Sequence, residues 1–272
     1  MDLRFFDTHT HYNDRRFDAD LAEVLRKVRK AGVLRDTIIG YDIESSIRGI
    51  RIAENRDRGD RIEETPIHTV AVGIHPNSVE QAEEDDLIRL EVLAEDPSVV
   101  AIGEIGLDHY RKNAEQESVR ERQVWFFRKQ LRIARRAKLP VVIHSRDAAQ
   151  DTVQILEEEK ASEAGGVIHC YSYSPEMAEI FVKMGFFLGI GGVVTRPEAR
   201  KLKETVERIP LSRLVLETDC PYLAPEGHRG ERNDSAAIPV IAERIAELKG
   251  ITVEEVSRVT WENACRLYRI DV

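Results

Sequence analysis

Cysteine is scarce in this chain: Cys170, Cys220 and Cys265 are the three among 272 residues. The count is odd and no Cys-x-x-Cys occurs, which argues against a disulfide framework and against a thiolate zinc site. Long hydrophobic runs are missing too; no apolar stretch approaches the roughly 20 residues that a membrane-spanning helix needs. The opening Met1-Asp2-Leu3-Arg4-Phe5-Phe6-Asp7 has neither the apolar core nor the small-residue cleavage site of a signal peptide. It reads as the first strand of the fold, and the expected location is cytoplasmic, with no membrane partner. Positive charge is in deficit, the net charge being −9. That argues against a broad basic face for duplex nucleic acid, although bound metal ions can supply positive charge locally. The chain has no low-complexity segment and no Gly/Ser-rich or Pro-rich linker. No Gly-x-Gly-x-x-Gly follows a strand, so a dinucleotide site is not supported.

What is present is the composition of a globular protein, 42% apolar and 33% charged. Short apolar, β-branched runs recur at Leu3–Phe6, Asp36–Ile39, Thr69–Val72, Val99–Ile102, Val141–Ile143, Gly166–Ile168, Phe186–Gly189 and Leu214–Leu216. Most lack polar alternation, as strands covered on both sides should. Helical periodicity lies between them. Asp20–Ala31 places Leu21, Val24, Leu25 and Val28 on one face. Ser118–Lys138, Asp147–Glu158, Pro175–Met184, Pro197–Glu207, Ala236–Leu248 and Val253–Tyr268 also read as helices, with Pro175 and Pro197 at first helical positions. Eight strands alternating with helices predict an α/β fold, a (β/α)8 TIM barrel spanning residues 1–272 as one domain; about 250 residues is the usual size for such a unit. An open doubly wound sheet is the alternative.

The polar residues fall in a pattern. Asp7, His9 and His11 come after the first predicted strand, His75 after the third, and Glu104 after the fourth. His144 ends the fifth, His169 ends the sixth, and Asp219 follows the eighth. In a parallel barrel all these ends share one rim, where the active site sits. Imidazole and carboxylate are nitrogen and oxygen ligands suited to Zn, Mn and similar divalent ions. His9 and His11, two apart in an extended segment, can share one ion. His144 and His169, from adjacent strands, can share a second. Glu104 can bridge, and Asp219 can ligate and accept a proton from water. One His-x-His is a weak signal; this set of strand-end partners makes it a strong one. Asp7 is expected to orient the first histidines or cap the strand.

The segments Phe6-Asp7-Thr8-His9-Thr10-His11, Val72-Gly73-Ile74-His75-Pro76, Gly103-Glu104-Ile105-Gly106-Leu107-Asp108, Pro140-Val141-Val142-Ile143-His144-Ser145-Arg146, Ile168-His169-Cys170-Tyr171-Ser172 and Leu216-Glu217-Thr218-Asp219-Cys220-Pro221-Tyr222-Leu223 together resemble the TatD family of metal-dependent deoxyribonucleases, within the amidohydrolase-like barrels. The match runs in order from near residue 5 to the C-terminus. The resemblance implies His9 and His11 on one metal, His144 and His169 on another, Glu104 bridging, and Asp219 as ligand and base. It puts His75 near the scissile phosphate and Asp108 and Arg146 at the mouth of the pocket. Arg229 and Asn233 match the family pattern as substrate contacts, although Asn233-Asp234-Ser235 stands where the family commonly has Asn-Glu-Pro. His109 stands where the family often has an aromatic, with Tyr110 next.

The expected function is therefore hydrolysis of DNA phosphodiester bonds, single-stranded DNA or DNA ends being the substrate, by two divalent ions (Zn, Mg or Mn). An amidohydrolase-like enzyme cleaving an amide or ester of a small molecule is the alternative, and a non-catalytic metal-binding scaffold a third. Glu104 at strand four, with no Lys immediately after that strand, leans toward the nuclease-like branch. The charged run Arg56–Thr65 reads as a solvated loop. Ser118–Lys138, rich in arginine, reads as the outer face of a barrel helix, with Trp125 and Phe127 packing inward. Cys170 and Cys220 read as small buried fillers.

Overall fold

A computed structural model describes residues 3–55, 64–110 and 116–271. Of the charged run Arg56–Thr65, all but the last two residues lie outside this set. Eight parallel strands follow one another round a single sheet in the order of the sequence: β1 Phe5–Thr10, β2 Val33–Ile39, β3 Ile67–Val72, β4 Val99–Asp108, β5 Val141–Arg146, β6 Gly166–Ile168, β7 Phe187–Ile190 and β8 Leu214–Leu216. Helices α1 Leu21–Lys30, α2 Ile43–Asn55, α3 Glu84–Leu93, α4 Glu117–Ala137, α5 Ala149–Glu158, α6 Pro175–Lys183, α7 Arg200–Arg208, α8 Ile238–Lys249 and α9 Val253–Tyr268 intervene or follow. This is the (β/α)8 TIM barrel that the alternation predicted, and not the open sheet.

Strands β8 and β1 close the ring without a regular ladder. Asp219 N donates to His9 O at 3.0 Å and His11 N to Cys220 O at 2.8 Å. Thr8 Oγ1 adds a bond to Leu216 O at 3.0 Å. The Asp7 carboxylate accepts from Thr218 N at 3.0 Å, Thr218 Oγ1 at 2.6 Å and Ser235 Oγ at 2.6 Å. Asp7 thus bolts the seam shut, in keeping with its expected non-ligand role. Burial drives its acidity down, and its carboxyl pKa rises to about 7.

The core has two layers. Outward residues of the strands, such as Ile38, Val70, Ile143 and Leu188, pack under the helices. Inside, Phe6, Ile39, Ala71, Ala101, Val142, Val167, Phe187 and Val215 form one cluster with Trp261, Ala264, Cys265, Leu267 and Tyr268 of α9. Helix α9 plugs the end where the strands begin: Ser257 Oγ donates to Arg4 O at 2.7 Å, and the Arg4 guanidinium lies 4.8 Å from the Trp261 ring centroid. The other end stays free for the site.

Some boundaries differ from the sequence reading. Strands β1, β4 and β5 run several residues beyond the apolar segments, with pairing that resumes past the polar positions at Thr10↔Ile38 and runs on to Asp108↔Arg146. Pro197 does not start a helix. Arg196 before it is extended, as residues before proline are, and α7 begins at Arg200. Pro175 does hold the first turn of α6, where Ser174 Oγ accepts from Met177 N at 3.4 Å. Helices α2 and α3 were not anticipated. Helix α2 begins beside Asp42, whose Oδ1 accepts from Ser45 N at 2.7 Å. A reciprocal capping box of Glu83 and Asp86 opens α3.

On α4, Arg128 and Arg132 pair with Glu158 and Glu159, and Arg136 with Glu91. Phe127 is buried. This helix is an ion-paired outer face, as expected.

Candidate metal centre

Two irregularities in the barrel wall aim the central side chains. Between Asp7 and Thr10, β1 advances three residues while its partner β2 advances two, from Asp36 to Ile38. Between Ile102 and Ile105, β4 advances three while β5 advances two, from Val141 to Ile143. An extra residue of this kind is a bulge, and it reverses the in-out alternation beyond it. His9 sits in the first bulge and Glu104 in the second. Glycine permits the close approach at β4: a Cβ on Gly103 would come within 2.5 Å of Val142 Cβ, and one on Gly73 within 2.6 Å of the Gly103 carbonyl carbon.

Glu104 is the hub. Its Oε2 lies 3.5 Å from His9 Nε2 and 4.0 Å from His11 Nε2. Its Oε1 lies 2.7 Å from His144 Nδ1, 3.6 Å from His75 Nε2 and 3.9 Å from His169 Nε2. Each oxygen faces its own group of imidazoles, which is the disposition a bridging carboxylate needs. Asp219 Oδ1 faces three of them, at 3.3 Å from His11, 3.7 Å from His9 and 3.8 Å from His169. His9 and His11 bring their Nε2 atoms within 3.3 Å of one another, and the His9 and His169 rings stack at 3.5 Å.

These separations fit cations. An ion bonded at about 2.0–2.2 Å to two donors holds them roughly 3–4 Å apart, depending on the bond angle, and the contacts here other than the His144–Glu104 one are of that order while being long for hydrogen bonds. Among the described residues four groups of three donors lie close enough to hold an ion: His9, His11 and Asp219; His9, Glu104 and His169; His75, Glu104 and His144; and, behind these, His169, Cys170 and Glu217. All six expected ligands are therefore brought together. Their grouping differs from the sequence reading, which paired His144 with His169. In the structure His169 stacks on His9 at 3.5 Å and His144 meets His75 at 4.4 Å between ring centroids, with Glu104 common to both groups.

Charge is arranged to suit metal binding. Burial alone would raise the Glu104 pKa, but His75, His169, His144 and His9 hold it well below the usual range, so it stays ionised. Asp219 is likewise lowered against the effect of burial, by its contact with His11 and by His169. Burial lowers the His75 imidazole to about 3, so it is neutral near pH 7. Its Nδ1 accepts from Asn77 N at 3.0 Å, which leaves the proton on Nε2, facing Glu104.

Around this shell stand residues that sequence reasoning passed over. Glu217, buried on β8's end, presents Oε1 to His169 Nδ1 at 3.1 Å and accepts from Cys170 N at 2.6 Å. A carboxylate behind a ligating imidazole fixes its orientation and raises its basicity. A Cβ on Gly189 would collide with Glu217 Oε2, so glycine is required beneath it. The signal for Glu217 was its place two residues before Asp219. His11 Nδ1 is similarly set by Ile39 O at 3.1 Å.

A cavity of about 620 Å³ opens above the hub. His11, His75, Glu104, Asp108, His144, Arg146, His169 and Asp219 line it, with Tyr41, Asn77 and Tyr222, which the sequence reading did not single out. Cys170 also lines it, so of the two expected fillers only Cys220 is fully buried. Arg229 and Asn233 stand elsewhere. Arg229 pairs with Glu198 and Glu226 on the surface. Asn233 is buried and spends its amide on Thr218 O at 3.1 Å and Tyr222 O at 2.8 Å. Both act on loops rather than at the cavity wall. His109 faces Asp151 at 3.7 Å and does not line the cavity.

A (β/α)8 barrel whose strand ends converge five histidines and two carboxylates defines the class of metal-dependent hydrolases. Within it, the family model described as TatD related DNase matches residues 6–269, and the chain belongs to that family. An uncharacterized metal-dependent hydrolase of Bacillus subtilis, YabD, is 41% identical over 266 residues, covering 98% of this chain and 99% of that one. One from Mycobacterium tuberculosis, TatD, is 34% identical over 96% of this chain and 97% of its own length. The crystal structure of YjjV, a TatD homologue from Escherichia coli, superposes with a TM-score of 0.90 at 30% identity over 100% of both chains. No helix among the described residues is long and apolar enough to cross a membrane.

Proposed function

We propose that this metal-dependent hydrolase cleaves DNA phosphodiester bonds, with two divalent ions held by His9, His11, His144, His169, Glu104 and Asp219. The observation that carries this reading is the hub: Glu104 turns one oxygen to His9 and His11 and the other to His75, His144 and His169. The family's description as DNases supports the choice of bond. When bound, divalent ions supply Lewis-acid charge for the phosphate oxygens and make water acidic near neutral pH.

The chain's own groups divide the remaining work. Asp219, ionised and reaching the cavity, accepts the proton of the attacking water. Neutral His75 offers its Nε2 proton as a hydrogen-bond donor to a phosphate oxygen. Arg146 lines the same cavity and supplies fixed positive charge to a flanking phosphate. Asp108 accepts from Asn77 Nδ2 at 3.0 Å and faces His144 Nε2 at 3.4 Å, so it positions rather than reacts.

Purified protein supplied with Zn²⁺, Mg²⁺ or Mn²⁺ is expected to degrade DNA oligonucleotides. Glu104→Ala and His144→Ala should each lower the rate by orders of magnitude; unchanged rates would sink the reading. A panel of amides and esters turned over faster than DNA would overturn the choice of bond and leave the metal centre intact.

A further inference from the structure

Behind the hub lies a second set of donors, and this one contains sulfur. His169 Nδ1, Cys170 Sγ and a carboxylate oxygen of Glu217 lie within 4.8 Å of one another. His169 stands between the two sets. Its Nε2 faces Glu104 Oε1 at 3.9 Å and Asp219 Oδ1 at 3.8 Å, and its Nδ1 faces Glu217 Oε1 at 3.1 Å. Two atoms here, His169 Nδ1 and Glu217 Oε2, are buried with no hydrogen-bond partner among the described residues, on side chains only 4% and 1% exposed. Glu217 Oε1 is close to Nδ1 but off the direction that a hydrogen bond needs. Buried polar atoms left in this way call for a partner.

The set is held in place. Cys170 adopts φ 47°, a left-handed conformation that a non-glycine residue keeps only when its surroundings enforce it. Its N–H donates to Glu217 Oε1 at 2.6 Å, and the next N–H, of Tyr171, donates to Gly189 O at 3.1 Å. Gly189 also makes room for Glu217, since a Cβ there would stand 2.1 Å from Oε2. Of the three cysteines, Cys170 alone is not buried, and it lines the cavity, so an ion in the cavity can reach its sulfur.

Sulfur changes which ion is preferred. Oxygen donors suit Mg²⁺ and Mn²⁺, whereas a thiolate selects softer ions such as Zn²⁺ and Cd²⁺. An ion bonded to sulfur at about 2.3 Å and to nitrogen or oxygen at about 2.0–2.2 Å spans at most about 4.4 Å between donors, so shifts of a few tenths of an ångström close this set on it. The absence of Cys-x-x-Cys argues against an all-thiolate site and leaves a mixed one open.

We propose that Cys170, His169 Nδ1 and Glu217 form an inhibitory site for a thiophilic divalent cation. Binding makes a metal–sulfur bond in place of the thiol S–H bond, and the proton leaves to solvent. The ion also takes the Nδ1 lone pair. A neutral imidazole carries one proton and one free lone pair on its two nitrogens, so the proton then sits on Nε2 and His169 is withdrawn from the catalytic centre. That consequence rests on His169 serving the catalytic ions, as proposed above; the site itself does not. Zinc is then expected to activate at low concentration and to inhibit at higher concentration.

The test titrates Cd²⁺ into the Mg²⁺-loaded protein. It follows the ultraviolet charge-transfer band of a thiolate–cadmium bond together with DNA cleavage. The band should grow in step with the loss of cleavage. Cys170→Ser and Cys170→Ala should both lose the band and stay active at the Cd²⁺ concentration that halves the native rate. Glu217→Gln should move the band to a Cd²⁺ concentration about 10–100-fold higher. A band that persists without Cys170 overturns the site. So does a band that forms at the native concentration in Glu217→Gln, because the thiol then binds alone. Loss of the band in the Cys170 variants with inhibition unchanged overturns the inhibitory role. If the native protein cleaves no DNA, the phosphodiesterase reading falls by itself, and the band still decides the site.

Discussion

At the scale of single residues, the site depends as much on what stands behind the ligands as on the ligands themselves. Glu217 is not among the residues lining the site cavity, yet it sets the His169 ring. Glu217→Gln keeps the volume and removes the charge, and losing such a partner typically costs 10–100-fold in metal affinity. Ion titration of the metal-free variant should show that loss while the native melting temperature is nearly kept; unaltered affinity would remove Glu217 from the site. Asn233 makes a contrasting case. Family pattern suggested a substrate contact, but its amide ties Thr218 O to Tyr222 O. Asn233→Ala leaves two carbonyls short of a donor, at about 1–3 kcal/mol each for buried groups. Denaturant unfolding should register the deficit, and a variant of native stability with a raised KM would restore the family assignment.

At the scale of elements, helix α4 shows what its arginines are for. Glu159, nearly buried, receives Arg132 Nε at 2.8 Å and Arg132 Nη2 at 2.7 Å, with Arg128 at 3.2 Å. The Arg132 contact first, and Arg128 after it, hold the Glu159 pKa below its usual 4.5. A carboxyl whose folded pKa is depressed contributes stability above its unfolded pKa and loses that contribution as pH falls through the folded value. Glu159→Gln should therefore lower the melting temperature at pH 7, and the gap from the native protein should close as pH falls below the ordinary carboxyl range and through the depressed folded value. A gap that is constant with pH would mean that packing, not charge, joins α4 to α5. The bulges in β1 and β4 belong to this scale as well. Periodicity placed His9 and Glu104 near strand ends, but a period of two cannot register one added residue, and that residue decides which way each side chain points.

At the scale of the whole molecule, α9 seals one end of the barrel so that the other can be hollow. Trp261 is packed with Phe6, Val215 and Tyr268 beneath the sheet, and its ring centroid lies 6.0 Å from that of Phe6. Trp261→Ala opens a cavity at the floor and should cost about 3–5 kcal/mol. Thermal unfolding checks this, and a loss under about 1 kcal/mol would show the plug to be dispensable. The residual folded fraction should still bind metal, because the ligands sit at the opposite rim.

The sequence by itself determined much of this protein. Eight apolar segments alternating with amphipathic ones are enough to specify the barrel, because each strand must be covered on both faces. A parallel barrel then brings every strand's C-terminal end to one rim, and strand-end positions alone are enough to gather His9, His11, Glu104, His144, His169 and Asp219 there. Tertiary structure alone decided how they group. Glu104 faces both the His9 and the His144 groups from a bulge in β4, and Glu217 lies behind His169 because Gly189 leaves room for it. Those are relations between strands, among residues tens of positions apart, and linear periodicity carries no information about them.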